Sequence, residues 1–323
     1  MWKNLLARLG VGGASVDLQL DRDAFRVGEE VTGKIVISGG TVAQKVNDLT
    51  VSLVMEVRVH NRLATRTVHR IPVLHQVTVP PQPHREEVPF SFVLPANLAI
   101  SSSSVRYGFR TQLDVDFAVD PKDFDPVTVL PDKPTERLFR AIEQLGFRRK
   151  AEWGKLTAYG QEFEYFSANP QLPIKEWEFL LRKTADTFYL LSEVEWVRGG
   201  WLAREAERKL EIAVPVRLLE EGQEQALVAH LKETLERVLA DPHHAPQIPL
   251  HSWHLGQSPG HPGHWHGRHA HGHVPGTGIG PFAAGMVGGF LLAELLDELG
   301  DAVEAAGDML DGDMFDGDDG DWL

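Results

Sequence analysis

A strand-dominated chain folded as two β-sandwich domains, with a few short helices, is what this sequence predicts, and three observations predict it. Apolar and polar side chains alternate with a period of two along two separate stretches, Ser15 to about Leu130 and Phe163 to Val216. Turn-forming residues fall between the alternating runs at fairly regular spacing, with no helical crossover in the first stretch. The chain has 323 residues, more than one small core needs.

The elements follow in order. Trp2, Leu5, Leu6 and Leu9 lie at i, i+3, i+4 and i+7, which predicts a short amphipathic helix with one apolar stripe. Val16, Leu18 and Leu20 then alternate with polar neighbours, as do Leu49 through Val59, Val88 through Leu94, and Leu113 through Val119. Gly39-Gly40, Asn61-Arg62, Pro80-Pro81 and serines 101–104 separate these strands. Beyond Pro131, the spacing of Leu138, Ile142 and Leu145 predicts a helix near 134–146 closed by Gly146. Strand alternation resumes at Phe163 and Tyr165, Trp177 to Leu181, Tyr189 and Leu191, and Leu210 to Val216. Val228, Leu231, Leu235 and Val238 predict a closing helix near 223–240. The expected domains are therefore 1–131 and 132–242. Residues 243–285 read as a flexible linker, because a Gly, Pro and His composition cannot bury enough apolar surface to offset the entropy of ordering. Residues 286–323 are an apolar Gly-rich segment and an acidic tail, both expected to lie outside the folded body.

Charge narrows the function classes. The formal net charge is −14, but residues 1–242 hold 34 acids against 31 bases, whereas residues 286–323 hold twelve acids and neither Lys nor Arg. A nearly neutral body with a polyanionic tail lacks the cationic footprint that nucleic acid requires, so no nucleic-acid partner is expected. The absence of cysteine excludes disulfides and thiolate metal sites. Residues 1–9 lack the apolar core of a secretory signal, which predicts a cytoplasmic protein. Ile279 to Ala293 run fifteen residues without a charge, short of the roughly 20 that span a bilayer. Gly285 and Gly289 form a small-xxx-small pair there, which points to self-association into a homo-oligomer or to peripheral membrane contact, with a helix folded back on the body as the alternative.

Catalytic motifs are missing from the sequence: no nucleophile elbow, P-loop, dinucleotide fingerprint or His-Glu-x-x-His is present. The carboxylate pairs Asp114/Asp116 and Glu193/Glu195 read as solvated strand faces. Ten of the fifteen histidines lie between His243 and His273, densest at His264, His266, His269, His271 and His273. Imidazoles on a flexible chain can wrap a divalent transition metal, incidentally in a linker or as the function of a metal-handling protein. No other cofactor is expected. Arg58, His60, Arg62, Arg66, His69 and Arg70 surround an expected hairpin tip, a cationic edge suited to an acidic partner, anionic lipid or the chain's own acidic tail. Protection of an edge strand against aggregation is the alternative reading of the same residues. The apolar stripe of Trp2, Leu5 and Leu9 is a second candidate contact.

Several stretches resemble the bacterial sporulation-control family called SpoOM: Asn4-Leu5-Leu6-Ala7-Arg8-Leu9-Gly10-Val11-Gly12 with Val16-Asp17, then Val27-Gly28-Glu29-Glu30-Val31-Thr32-Gly33 and Gly39-Gly40. Leu145-Gly146-Phe147-Arg148, Gln161-Glu162-Phe163-Glu164-Tyr165 and the Gly-rich segment after the His-rich linker add to it. The likeness departs at Glu193 to Val197, where Trp196 stands in place of an acidic-basic pair. The resemblance implies an arrestin-like pair of sandwiches and a cytoplasmic regulatory role, exercised through protein contacts or the cell envelope and without a cofactor. A non-catalytic adaptor is thus the expected function, with metal handling as the alternative.

Overall fold

The computed structural model describes residues 12–59, 62–115, 122–157, 160–170, 172–198 and 204–240. In the first half, β1 (Ser15–Leu20), β3 (Glu30–Ser38) and β6 (Arg85–Val93) form a three-stranded sheet in the order β1-β3-β6. β2 (Ala24–Arg26), β4 (Gln44–Val59), β5 (Arg62–Val79), β7 (Val105–Val115) and β8 (Lys122–Leu130) form a five-stranded sheet in the order β2-β8-β7-β4-β5. The period of two explains the stacking. Leu49, Val51, Leu53, Met55 and Val57 are fully buried on one side of β4. Across the interior, Phe90 and Phe92 of β6 meet Phe109 of β7 edge-to-face, at 5.6 and 6.3 Å between ring centroids.

β5 is an edge strand of eighteen residues. Pro72 and two register shifts against β4, at Leu49/Thr50 and Leu53/Val54, interrupt its ladder. Both devices discourage pairing with another chain.

The expected second sandwich takes a particular form, a sheet whose second layer consists of helices. β10 (Lys155–Thr157), β11 (Gly160–Ser167), β12 (Ile174–Lys183), β13 (Thr187–Arg198) and β14 (Arg204–Pro215) are antiparallel in that order, and β9 (Phe147–Arg149) also pairs with β11. α1 (Lys133–Gln144) is capped by Asp132, whose carboxylate accepts from the Thr135 N–H at 2.8 Å. The helix ends where Gly146 takes φ +97°, and a Cβ there would lie 2.8 Å from the Asn169 Cβ. Its Phe139 lies on Phe163 of the sheet at 4.8 Å and on Trp153 at 5.2 Å. α2 (Glu224–Ala240) buries Leu231, Leu235 and Val238 of the stripe read in its sequence, with Leu227 as the fourth buried residue and Val228 half-buried beside it. Trp196, where the family likeness departs, is a buried core residue opposite Ala206.

Polar contacts join the halves. Gln161 is fully buried, and its amide accepts from Ile100 N–H and donates to the Ile100 and Gly154 carbonyls, each at 2.8 Å. Ser102 and Ser103, read from sequence as turn residues, donate to the Gly154 and Ala151 carbonyls. Arg26 of β2 reaches Glu136 of α1 at 2.8 Å and the Pro131 carbonyl at 2.7 Å. One continuous apolar core runs through both halves.

Candidate interaction surfaces

Two sheet faces stand out by charge. The first is the outer face of the five-stranded sheet. Because β4 buries its odd-numbered residues, Ser52, Val54, Glu56 and Arg58 point away from the core. The register carries that parity to the neighbouring strands. Arg106 stands opposite Glu56 and Arg110 opposite Ser52 on one side of β4, with Arg70 opposite Ser52 and Leu63 opposite Arg58 on the other. Phe124 of β8 lies opposite Arg110, and its ring occupies the space over Gly108, where a Cβ would fall 2.2 Å from the ring. Arg58, Arg70, Arg106 and Arg110 are exposed, and none forms an ion pair with a described residue. Leu63 is 59% exposed and Phe124 43%, whereas Val54 between them is fully covered. The face is cationic, with apolar side chains set among the charges. Asp48 and Asp114, opposite each other, mark its other, acidic end.

The structure redistributes the cationic cluster expected from the sequence. Arg58 and Arg70 come together on the outer face. Arg66 stands opposite Met55, on the side of the inner sheet face, and His69 stacks on Phe92 at 5.2 Å. His60, the Arg62 side chain, Trp2, Leu5 and Leu9, His264, His266, His269, His271 and His273, and Gly285 and Gly289 lie outside the described residues. Arg106, Arg110 and Phe124 were not anticipated. Their parity is legible, since Val105, Tyr107 and Phe109 alternate with them, but the position of β7 beside β4 is not.

The second face is the outer side of the second sheet. Glu164, Glu178, Glu193 and Lys209 form one rung across β11 to β14, and Glu176, Glu195 and Glu207 form the next. A shallow pocket of about 230 Å³ opens here between Thr157, Glu162, Glu178, Leu180, Leu191 and Glu193. Burial, reinforced by Glu162, Glu193 and Glu164, pushes the Glu178 carboxyl up to about 7. Burial likewise raises Glu162 against the pull of Lys155. Acid-bearing side chains of Glu162, Glu164 and Glu178 converge within 4.8 Å. Lys155 contacts the nearly buried Glu164 directly, and Lys150 approaches it at 3.5 Å and Glu176 at 2.9 Å. Burial pulls Lys155 down, but Glu164, Glu162 and Glu152 outweigh it and leave the ammonium raised. The two lysines thus already supply cations to this cluster.

Among the described residues no helix is long and apolar enough to cross a membrane. The chain is similar to known proteins over most of its length. A family model described as SpoOM protein matches residues 2–197. The sporulation-control protein Spo0M of Bacillus subtilis (strain 168) is 30% identical over 259 residues, covering 74% of this chain and 97% of that protein. The crystal structure of Spo0M from Bacillus subtilis superposes with a TM-score of 0.57 at 24% identity, covering 70% of this chain and 99% of that one, and shares the fold. This chain belongs to the SpoOM family of sporulation-control proteins.

Proposed function

We propose that this protein is a non-catalytic cytoplasmic adaptor that regulates by binding other proteins on its sheet faces. The observation that carries the reading is the outer face of the five-stranded sheet, where four exposed arginines surround Leu63 and Phe124. Exposed apolar side chains set among arginines are characteristic of contact surfaces, in which arginine and aromatic side chains dominate the binding energy. Family membership supports a regulatory role in the same direction. The buried Gln161 hydrogen bonds and the Arg26 to Glu136 ion pair support a body that presents its two charged faces at a set relative orientation. Self-association through Gly285 and Gly289 and contact with a membrane surface are further routes to partners that this reading accommodates.

The test uses the full chain in crosslinking and affinity capture from its own cells, in three forms. These are the parent, a variant with Arg58, Arg70, Arg106 and Arg110 changed to Gln, and one with Glu162, Glu178 and Glu193 changed to Gln. The expected result is a defined protein set lost from one variant while both keep the parent's circular dichroism. Identical capture by all three forms overturns the reading.

A further inference from the structure

We infer that the arginine face of the five-stranded sheet is the docking site of this chain's own acidic segment, residues 308–323. The face needs an explanation that edge protection does not supply. Arginines on an edge strand can guard it against aggregation, but Arg106 and Arg110 lie on β7, the middle strand of the sheet. Their spacing supports a contact surface: with about 3.4 Å per residue along a strand and about 4.8 Å between strands, the four guanidinium-bearing positions, which run from the level of Ser52 to that of Arg58, frame a patch of about 20 by 10 Å. Elsewhere on the body, cations are mostly neutralised locally. Arg22 meets Glu29 at 2.7 Å, Lys34 meets Glu87 at 3.0 Å, and Lys209 meets Glu193 at 2.9 Å. Among the described residues, Glu56, opposite Arg106, is the acid that stands within the cluster of four arginines.

Residues 308–323 complement this patch in both respects. They carry seven aspartates and neither Lys nor Arg, interleaved with Met309, Leu310, Met314, Phe315, Trp322 and Leu323. Carboxylates would meet guanidinium groups, and these apolar side chains would cover Leu63 and Phe124. The tether permits it. The 67 residues 241–307 separate the end of α2 from Asp308, and a flexible chain of that length would have a root-mean-square span of about 45 Å. A compact body of this size has a radius of gyration of about 18 Å. A tethered ligand of this kind competes with any external partner at the face, and a more acidic or more apolar partner displaces it.

The experiment contains no other protein, so its outcome is independent of whether the adaptor reading holds. The sequence has no cysteine, so Gly320→Cys in the full chain gives one site for a nitroxide label. Paramagnetic broadening is then read at backbone amides by NMR. Expected are intensities reduced by about half or more at Arg106, Gly108, Arg110 and Phe124 in low salt, recovering in about 0.5 M NaCl, where screening is short-ranged. They should also recover when the seven aspartates of 308–323 become Asn, a change that leaves the body untouched, and in the R106Q/R110Q variant. Absent broadening, broadening spread evenly over the surface, or broadening that survives both sets of substitutions overturns the inference. So does broadening seen only when labelled and isotope-enriched chains are mixed, which assigns the contact to a second copy. A face unaffected by the label but perturbed by phosphatidylglycerol vesicles is a lipid site, and that result overturns it too.

Discussion

Gln161 and Glu178 show how single side chains set the properties of this body. Gln161 satisfies three backbone groups at the junction of the halves. Gln161→Leu keeps the volume and leaves a buried N–H and two carbonyls without these partners. The expected loss is about 2–4 kcal/mol, read as a lower urea midpoint with an unchanged slope. Glu178 behaves in the opposite sense. Its folded pKa of about 7 exceeds the ordinary 4.5, so the native state holds a proton that the unfolded chain has released between those values. Its contribution is fully present below pH 4.5 and is lost as pH rises through 7. Glu178→Gln is therefore expected to exceed the parent in stability at pH 8 by about 1 kcal/mol, the linkage value being reduced by solvent screening. The gain should vanish near pH 4, and equilibrium unfolding at the two pH values checks it.

Among the elements, α1 matters most to the second half. Phe139 sits between Trp153 and Phe163, and Leu138, Ala141 and Ile142 are buried beside it. Phe139→Ala opens a cavity between helix and sheet and is expected to destabilise by about 3–5 kcal/mol, measured by denaturant unfolding. The end of this helix offers a subtler test. Gly146→Ala places a Cβ at φ +97° and 2.8 Å from Asn169, and should lower stability by about 1–3 kcal/mol. Both helices were legible in the sequence, because a 3.6-residue stripe is a local pattern and Pro131 and Gly146 punctuate α1. That they form the second layer of the sheet was not, since the same apolar stripe would pack equally well against another sheet.

At the scale of the whole molecule, the shared apolar core and the Gln161 contacts join the halves. A single cooperative thermal transition is therefore expected by calorimetry; two resolved transitions would show that the halves are independent. Charge is separated at the same scale, with arginines on the outer face of one sheet and glutamates on that of the other. The near-neutral total of residues 1–242 conceals this separation, because a sum carries no positions.

The sequence alone determined that strands dominate, which side of most of the strands it picked out is buried, roughly where the two described helices lie, and which family the chain resembles. β13 is the exception, since it turns Phe188, Leu190, Val194 and Trp196 to the core and Tyr189 and Leu191, the alternating pair read from the sequence, to the outer face. These properties follow from neighbours within a few residues, where alternation, caps and turns act. Only the tertiary structure decided that Arg58 and Arg70 share a face with Arg106, Arg110 and Phe124 while Arg66 does not, and that Glu162, Glu178 and Glu193 border one pocket. Strand order and register bring together residues tens of positions apart through long-range pairing and burial, and alternation within a strand is the same whichever strand lies beside it.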